Sequence, residues 1–493
     1  MILDEVSLVT DNGQFFLVDR HTCNMIRLSK TAYEVLCMLK NGENEEVVRI
    51  FGKEMVDMIT NEIISLKNQK IISDCSCDSY QEAMDSISSL EKNGIMLLEG
   101  TFLIAQDCNM ACKYCYGGKS GQFGQKGLMS KEMAEKYFRY LLSNNGGYSL
   151  QKVGFLGGEP LLNMDVIVHI IELWERWKHG YPDRSVYFTI TTNGTLLTPE
   201  IIKYLKEKEV MVCISLDGPQ NIHDANRVFP NGQGTFERIM EGIDLLRRYE
   251  KPFNIRVTVN RQTDPDQLYD FLDEYKFDVA YIMPADYPML YPETEYQLDL
   301  NAYRNLLRKQ EEIIRQGCTD IMEGRKDTYH SKELSMTFRG NHCHEMEYPF
   351  RCPAGWRLAT FSIDGNIYLC QRFAGNEHFC IGNIDEGIDI DKVRKIYTDF
   401  LDASKSCDSC LALKVCRRRC FKQKAKADGS FEQIPEELCE VYRSSIISSI
   451  ALSRELAKHM KKDSGKMKEA LLRYNTAHLM EEVNGVRGME NEK

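Results

Sequence analysis

The first part of the chain, residues 1–75, alternates short apolar runs with turn residues before it changes to helical spacing. Val6–Val9 and Phe15–Val18 flank Asp11-Asn12-Gly13, a combination that predicts a β-hairpin. A third strand is predicted through Met25–Leu28. The beginning of the chain therefore carries three candidate strands in succession.

Apolar residues then recur at the spacing of an amphipathic helix, beginning after Ser29, a candidate N-cap. Two further helical patterns follow, around Glu45–Phe51 and Met55–Lys67. Three strands followed by three helices are typical of a winged-helix-like domain. Such a domain is either a structural or regulatory cap or a module that docks a peptide. Residues 76–98 are polar and mixed in charge, and we interpret them as a linker that is helical near Gln81–Glu91.

Strand and helix patterns alternate six times between residues 99 and 285. The six predicted strands are Thr101–Ala105, Val153–Leu156, Val186–Thr191, Val210–Ser215, Asn254–Val259 and Val279–Met283. Repeated βα units predict a parallel sheet with right-handed crossovers. Six units are too few for a closed eight-stranded barrel. We therefore predict an α/β fold in which residues 99–310 form an open, partial (β/α)6 TIM-like barrel, with ligands at the carboxyl ends of the strands.

The rest of the chain is predicted to contain three parts. Residues 311–342 form a helical connection, residues 343–440 a C-terminal cysteine-rich domain, and residues 441–493 helices and a tail.

Composition and charge exclude several classes of protein. The chain is 43% hydrophobic and 27% charged, which is ordinary for a globular protein. Its formal net charge of −11 disfavours non-specific binding to nucleic acid. No apolar run reaches the ~18 residues of a membrane-spanning helix, and the N-terminus lacks the pattern of a signal peptide. We therefore expect a cytoplasmic protein without nucleic-acid or membrane partners.

The abundance of cysteine is the unusual feature of the composition. The chain contains 18 cysteines. In a reducing compartment such cysteines bind metals or clusters more often than they form disulfides. Three of them lie within residues 108–115, and eight, leaving Cys380 aside, lie within residues 343–439. This distribution predicts at least two metal-binding regions.

Cys108, Cys112 and Cys115 form a CxxxCxxC pattern directly after the first strand of the βα series. Three thiolates so close in sequence can bind three irons of a cubane [4Fe–4S] cluster and leave the fourth iron open to a substrate or cofactor. A structural zinc site is the alternative. Zinc would require a fourth ligand, and no other Cys or His lies nearby in the sequence. The position of the motif at the end of a barrel strand favours the cluster.

This motif, with Tyr114 before its third cysteine, resembles the signature of radical S-adenosylmethionine (SAM) enzymes. Segments similar to that family follow the later strands in the expected order: Gly157-Gly158-Glu159-Pro160, Thr192-Asn193-Gly194-Thr195 and Ser215-Leu216-Asp217-Gly218-Pro219. The resemblance implies that the first of these contacts the amino group of SAM, for which a carboxylate and a turn backbone are suitable partners. It implies that the later strand ends bind the ribose and carboxylate. The cofactor-binding residues implied in this way are Tyr114, Gly157, Gly158, Glu159, Asn193, Ser215 and Arg227.

The later cysteines resemble the SPASM domain, which carries auxiliary [4Fe–4S] clusters in the same superfamily. Their order is Cys352, Cys370, Cys407-x2-Cys410-x5-Cys416-x3-Cys420 and Cys439, with Gly365 between the first two. The resemblance implies one cluster on Cys343, Cys352, Cys370 and Cys420, and another on Cys407, Cys410, Cys416 and Cys439. If Cys343 is not a ligand, the first auxiliary cluster keeps an open iron. Two zinc-ribbon sites are the structural alternative, since CxxC pairs also suit zinc.

The resemblance therefore implies SAM and three [4Fe–4S] clusters as cofactors. In the family, the reduced open cluster donates an electron to SAM, and the 5′-deoxyadenosyl radical that results takes a hydrogen atom from the substrate. An electron donor such as flavodoxin or ferredoxin is then a partner. The auxiliary clusters accept the electron that is left over when a new bond closes.

The N-terminal domain resembles the leader-recognition domain of enzymes that modify ribosomally made peptides, which bind a leader as an added strand at a sheet edge. We therefore predict a radical SAM peptide maturase that installs a crosslink, preferably a cysteine thioether, in a precursor peptide. One alternative is an enzyme of the sulfatase-maturating type, which makes formylglycine. Others are a maturase that forms a carbon–carbon link or epimerises a residue, and a non-enzymatic iron–sulfur or zinc scaffold that binds peptides.

Overall fold

A computed structural model describes most of the 493-residue chain. The described residues are 3, 6–11, 13–19, 25–69, 71–72, 79–117, 123–147, 150–285, 298–323, 325, 328–330, 352–416 and 420–448. The predicted ligand Cys343 and the part of the predicted C-terminal helices beyond residue 448 lie outside them.

The N-terminal domain has the predicted order of three strands and three helices. Its elements are β1 (Val6–Asp11), β2 (Gln14–Asp19), β3 (Met25–Leu28), α1 (Lys30–Lys40), α2 (Asn44–Phe51) and α3 (Lys53–Asn68). Asp11 pairs with Gln14 across the hairpin, and Gly13 adopts a φ of +72° that glycine tolerates without strain. The Ser29 hydroxyl accepts a hydrogen bond from the Ala32 backbone N–H at 3.1 Å and caps α1 as predicted.

Apolar side chains cover both faces of this three-stranded sheet. On one face, Leu17 joins buried residues of the helices, such as Leu36 and Ile63, in a core separate from the main one. On the other face, Phe16, Val18 and Met25 pack against Ile447, which lies in a helical segment at 436–448, with Leu411 beside them. The domain is therefore seated, through its sheet, on the C-terminal region. Within the described residues the strand order β1-β2-β3 leaves β1 and β3 as edges.

The second region is the predicted open barrel of alternating strands and helices. Its elements are β4 (Glu99–Ala105), α5 (Lys131–Ser143), β5 (Leu150–Gly157), α6 (Met164–Gly180), β6 (Ser185–Thr192), α7 (Pro199–Glu207), β7 (Met211–Ser215), α8 (Gln220–Asn226), α9 (Phe236–Arg248), β8 (Phe253–Val259), α10 (Pro265–Glu274) and β9 (Val279–Pro284). The six strands pair in parallel in chain order. Phe102, Phe155 and Ile190, from three successive strands, pack with helix residues such as Trp174 in the main core. Every second strand residue faces the helices, as the pleat requires.

The cysteine-rich region extends the sheet of the barrel, which the sequence did not indicate. It contributes β10 (Leu358–Phe361), β11 (Asn366–Tyr368), β12 (Cys380–Asn383) and β13 (Gly387–Ile388). β10 pairs in parallel with β4, with Thr360 opposite Thr101, and β11 to β13 continue antiparallel. The result is one ten-stranded sheet in the order β13-β12-β11-β10-β4-β5-β6-β7-β8-β9. Strands of two to four residues carry too little periodicity to be recognised in the sequence.

The segment that we interpreted as a linker, residues 76–98, contributes a helix to the main core. This helix, α4 (Ser79–Asn93), packs against α12 (Ile390–Asp402) of the cysteine-rich region. Its Ala83, Ile87 and Leu90 are buried there. The many polar residues of the segment lie on the other face of the helix and concealed this narrow apolar stripe in the sequence.

The remaining helices are α11 (Leu300–Met322) and the short α13 (Leu413–Cys416). Single 3₁₀ turns lie at Pro160–Asn163, Gln371–Phe373, Glu377–Phe379, Lys405–Cys407 and Phe421–Gln423. Among the helices described, none combines the length and the apolar character that crossing a membrane requires.

Candidate active site

The CxxxCxxC loop leaves the carboxyl end of β4 and is fixed by backbone hydrogen bonds to the end of α8 and the residues that follow it. The Ala111 N–H donates to the Val228 carbonyl at 2.7 Å, and the Lys113 N–H donates to the Asn226 carbonyl at 2.8 Å. The loop is therefore attached to the part of the barrel that follows β7, on the far side of the strand ends. This attachment holds its cysteines over the carboxyl ends of the strands.

The three thiols of this loop differ in exposure and lie close together. Cys108 is exposed, Cys115 is half-buried and Cys112 is buried. Burial raises the pKa of the Cys112 thiol to about 12, Arg227 opposes the rise, and nearby thiolates at Cys115 and Cys108 add to it. A metal that binds such a thiol must displace its proton. The structure thus brings the three predicted ligands together with one of them facing solvent.

Two glycines at the end of β5 permit a very close approach to this loop. A Cβ on Gly157 would stand 2.0 Å from the Ala105 carbonyl oxygen, and one on Gly158 would stand 2.3 Å from the Asp107 carbonyl oxygen. The Gly158 N–H donates to the Ala105 carbonyl at 2.7 Å. Any side chain here would push away the backbone that leads into Cys108. These predicted cofactor residues therefore also have a structural reason to be glycine.

Glu159 is fully buried and connects the ends of β5 and β6. Its carboxylate accepts hydrogen bonds from the Thr192 hydroxyl at 2.6 Å, the Asn193 N–H at 2.7 Å and the Leu161 N–H at 3.0 Å. Burial raises the pKa of this carboxyl group, and the three donors oppose the rise. A carboxylate has about four acceptor sites, so one remains. Its predicted contact with an ammonium group stays a prediction.

Asn193 links β6 directly to the cysteine loop. Its side-chain amide donates to the side-chain oxygen Oδ1 of Asn109 at 2.9 Å and to Cys108 Sγ at 3.9 Å. The Asn109 amide in turn donates to the Thr195 hydroxyl at 2.8 Å. The predicted residue Asn193 thus orients the most exposed of the three thiols. Asn109, which the sequence did not single out, belongs to the same network.

Tyr114, Asp217 and Arg227 form a buried polar group beneath the loop. The Tyr114 hydroxyl donates to the Asp217 carboxylate and accepts from the Arg227 guanidinium at 2.8 Å, while Arg227 and Asp217 approach to 3.8 Å. Burial opposes the charge on Arg227. The facing Asp217 carboxylate helps to offset that penalty and hold the guanidinium pKa well above its ordinary value. Arg227 Nε is buried and has no hydrogen-bond partner among the described residues.

His223 completes this network from α8. Its Nδ1 accepts from the Asp217 backbone N–H at 3.2 Å, and its Nε2 lies 3.0 Å from the Thr235 hydroxyl. Burial holds the pKa of this imidazole well below its ordinary value, so the ring is neutral. Ser215, the last predicted cofactor residue, ends β7 in a half-buried position opposite Arg256 of β8.

The first predicted auxiliary set is brought together for its three described members. Burial raises the pKa of the Cys352 thiol, and the neighbouring Cys420 and Cys370 raise it further. Burial also raises the pKa of Cys370 to about 12, with Cys420 adding to the effect. These mutual effects place the three sulfurs near one another. Cys343 lies outside the described residues.

The second predicted auxiliary set is brought together completely. Cys407, Cys410, Cys416 and Cys439 all line one cavity of about 50 Å³. Leu413, Ile434 and Ile446 line it as well. The lysine at position 424 also reaches this cavity, a contact that no sequence pattern indicated. The four cysteines that are separate in sequence thus share one largely apolar space.

The donor sets fit the groups that the family resemblance implies. Three thiols over the strand ends leave one coordination position without a neighbouring cysteine, and the orphaned Arg227 Nε supplies a buried donor close by. The four-cysteine cavity matches a fully ligated cluster. Across the described parts of the chain, no three His, Cys, Asp or Glu side chains are arranged to hold a single metal ion.

Comparisons with known proteins agree with this arrangement. Residues 102–274 match the family model for the Radical SAM superfamily. The chain is 27% identical over 372 residues to the cysteine-type anaerobic sulfatase-maturating enzyme of Clostridium novyi, which covers 72% of this chain and 95% of that protein. It is 23% identical over 387 residues to the radical SAM cyclopropyl synthase TigE of Paramaledivibacter caminithermalis, covering 74% and 76% of the two chains.

A solved structure shares the fold. Native anSMEcpe with bound AdoMet and Cp18Cys peptide superposes with a TM-score of 0.58 at 21% identity, covering 74% of this chain and 99% of that one. About a quarter of the present chain therefore has no counterpart in that structure. The family match shows that residues 102–274 form a radical SAM domain, and the shared fold agrees with this.

Proposed function

We propose that this enzyme is a peptide maturase that installs a cysteine thioether crosslink in a ribosomally made precursor peptide. The leader segment of that peptide would dock on the N-terminal domain of the enzyme. Flavodoxin or ferredoxin would supply electrons to the open cluster. The cytoplasm, where thiols stay reduced, suits such chemistry. The proposal rests above all on the N-terminal domain, which has its own core and is seated beside the cysteine-rich region.

The cysteine loop and the strand ends would hold the cofactors. Cys108, Cys112 and Cys115 would bind the open cluster, and SAM would lie over Gly157–Glu159, Asn193 and Ser215. When bound, SAM and the clusters supply a hydrogen-abstracting radical and an acceptor for one electron. Asn193 orients the Cys108 sulfur through its amide. The orphaned Nε of Arg227 is available to a carboxylate, as the predicted role of that residue requires.

The auxiliary sets would complete the electron balance of the reaction. Joining a cysteine sulfur to carbon removes two hydrogens from the peptide. One leaves as a hydrogen atom, and the other leaves as a proton and an electron. The proton goes to solvent or a nearby base, and the electron needs an acceptor. Two cysteine sets, one of them lining a single largely apolar cavity, suit that role.

The sheet of the N-terminal domain supports a peptide as the substrate. β3 is an edge strand within the described residues, and α1 follows it directly. An extended leader could add to this edge as a fourth strand. The face of this sheet that points away from the helices contacts Leu411 and Ile447, which are neighbours in sequence of the cavity residues Cys410 and Ile446. A docked leader would thus be anchored next to an auxiliary site.

The product of the reaction tests the function. The enzyme, reconstituted anaerobically and supplied with SAM and reductant, is incubated with the cysteine-containing peptide encoded beside it. We expect the loss of two hydrogens per link and a cysteine that no longer reacts with iodoacetamide. An unchanged mass would indicate epimerisation. A loss of two hydrogens with every cysteine still alkylatable would indicate a carbon–carbon link, and either result would exclude the thioether.

Conversion of a peptide cysteine to formylglycine is the second candidate, because the relative from Clostridium novyi is matched over 95% of its length. The Cp18Cys peptide is the matched probe. If the enzyme converts this peptide to an aldehyde that a hydrazine reagent captures, and leaves the neighbouring peptide unchanged, the crosslinking function is wrong.

Proline substitutions at the sheet edge test the docking mode. Ile26 and Arg27 are successive residues of β3, so their N–H groups point to opposite sides of the strand. One of the substitutions Ile26→Pro and Arg27→Pro removes an N–H that is bonded to β2, and this destabilises the domain. The other removes an N–H at the free edge of β3, and this blocks the addition of a strand there. The variant that keeps the wild-type melting temperature should lose affinity for the leader, measured by fluorescence anisotropy. Wild-type affinity in that variant would exclude docking at β3.

A further inference from the structure

Two lysines that follow Cys420 in the chain are buried. Lys422 is 2% exposed and Lys424 is 3% exposed, whereas Lys426, two residues later, is exposed and pairs with Glu432. A buried ammonium group loses its hydration, which is costly unless nearby groups compensate. The contacts of the two buried lysines are therefore informative.

Lys424 lies against the second cysteine set. Its ammonium group donates to the Ser404 hydroxyl at 2.6 Å and to Cys407 Sγ at 3.8 Å, and it stands 5.3 Å from the centre of the Phe400 ring. Ser404 is itself buried, and its hydroxyl donates to the Phe400 carbonyl. Ser404 and Phe400 thus fix the position of the Lys424 ammonium group, and its charge lies against the four-cysteine cavity.

Lys422 lies beside the CxxxCxxC loop. Its ammonium group is 6.0 Å from the ring of Tyr116, the residue after Cys115. The hydrogen bond of Lys424 to Cys407 is therefore the contact that joins this segment to an auxiliary cysteine set.

The physical effect of such a charge on an iron–sulfur cluster has a definite sign. Reduction adds one negative charge to the cluster, and a fixed cation nearby stabilises that charge. Hydrogen bonds to the ligating sulfurs and a low local dielectric strengthen the effect. A buried lysine at a cysteine ligand therefore raises the reduction potential, which makes the cluster a better electron acceptor.

We propose that Lys424 is a positioning residue that raises the reduction potential of the second auxiliary cluster. The proposal depends on the assignment of that cluster under the proposed function. It adds that the cluster is tuned by a lysine buried against one of its ligands, Cys407. The tuning favours transfer of the leftover electron from the peptide to the auxiliary region.

The experiment is an anaerobic redox titration of the reconstituted full-length enzyme, followed by electron paramagnetic resonance. Lys424→Gln should lower one auxiliary potential, so that the ratio of oxidised to reduced cluster at a fixed potential rises about tenfold, which is about 59 mV for a one-electron couple. Cys407→Ala removes the second cluster and so identifies its signal. Lys424→Arg, which keeps the charge, should restore most of the potential.

Lys426→Gln is the matched control, because Lys426 lies on the same segment but is exposed. It should leave both potentials unchanged. If Lys424→Gln binds about twelve irons and its potentials equal those of the wild type, the tuning role is wrong while the proposed function stands. An equal shift from Lys426→Gln would also overturn it, because the effect would then be one of net charge. If the wild-type protein binds only about four irons, the auxiliary clusters do not exist, and both proposals fail.

Discussion

The CxxxCxxC loop and the four-cysteine cavity differ in how their surroundings treat the sulfur atoms. The loop exposes Cys108 and is fixed by polar side chains. Asn193 donates a hydrogen bond to Cys108, and Tyr114 donates one to the buried Asp217. The cavity encloses four cysteines among apolar residues and receives a buried lysine. With clusters bound as proposed, the first arrangement would leave one coordination position open to a ligand, and the second would not.

This difference shows that the exposure of a cysteine set depends on the residues around the cysteines as much as on the number of cysteines. Around the loop, hydrogen bonds from two strands determine where the thiols lie, so small changes in the strand ends should alter the chemistry. Around the cavity, the cysteines themselves close the site, and neighbouring charges should alter only its potential. The predictions below separate these two kinds of dependence.

The largest effect is expected from removing the thiols of the loop. Replacing Cys108, Cys112 and Cys115 together with Ala should abolish SAM cleavage and leave about two thirds of about twelve irons in place, because the other ligands lie elsewhere. Release of 5′-deoxyadenosine and total iron measure the two outcomes. Cys318→Ala, a buried cysteine on α11, is the control and should change neither. If the triple variant still cleaved SAM, the assignment of this loop to the active site would be wrong.

The second prediction concerns the close approach at the end of β5. Gly158→Ala places a methyl group 2.3 Å from the Asp107 carbonyl oxygen. The backbone before Cys108 must move, so we expect a loss of about 1–3 kcal/mol of stability and a strong fall in SAM cleavage. Gly180→Ala, where nothing lies within 4 Å, is the matched control and should leave the cleavage rate unchanged. Equal rates in both variants would show that the loop tolerates displacement.

The third prediction concerns the buried charges beneath the loop. Asp217→Ala leaves the Arg227 guanidinium buried without its carboxylate, so the free energy of unfolding in urea should fall by about 3–5 kcal/mol. The control is Glu241→Gln, which breaks an exposed ion pair with Arg238 and should cost less than about 1 kcal/mol. A similar small loss in both variants would mean that the buried group is not a stability element.

The smallest effect is expected from Tyr114→Phe. This change removes one hydroxyl from the buried group but keeps the ring and leaves the direct pair of Arg227 and Asp217 in place. We expect a loss of about 1.5 kcal/mol in the free energy of unfolding. The ring, the part of Tyr114 that the implied cofactor contact would use, is kept, so the dissociation constant for SAM, measured by equilibrium dialysis, should stay the same. A weaker affinity for SAM would instead assign the hydroxyl to cofactor binding.

The sequence predicted the parts of the fold that depend on long or strongly marked patterns. The hairpin around Gly13, the cap at Ser29 and the six parallel strands of the barrel are confirmed. The radical SAM domain is confirmed by the family match as well. Each of these features is written in one continuous stretch of sequence. Periodicity and turn chemistry therefore suffice to recognise them.

The rest depends on contacts that no local pattern records. β10 to β13 have two to four residues each, and their membership in the barrel sheet follows from tertiary pairing with β4. Lys422, Lys424 and Lys426 are alike in sequence, yet only the first two are buried. The fold decides which of these lysines is covered by a neighbouring element. Asn109 likewise gains its role only when β6 lies beside the loop.

The parallel pairing of β10 with β4 has a consequence for how the chain can be divided. Phe361 is registered opposite Phe102, six residues before Cys108, and Cys370 follows nine residues after Phe361. Backbone hydrogen bonds thus fix the span between the CxxxCxxC loop and the cysteine-rich region, and a hinge between them would have to break the sheet. A barrel expressed alone would also expose β4 as a bare edge, which is prone to aggregate. Cut points that spare these contacts therefore lie outside residues 79–448, and a truncation keeps or loses the two cysteine-bearing regions together.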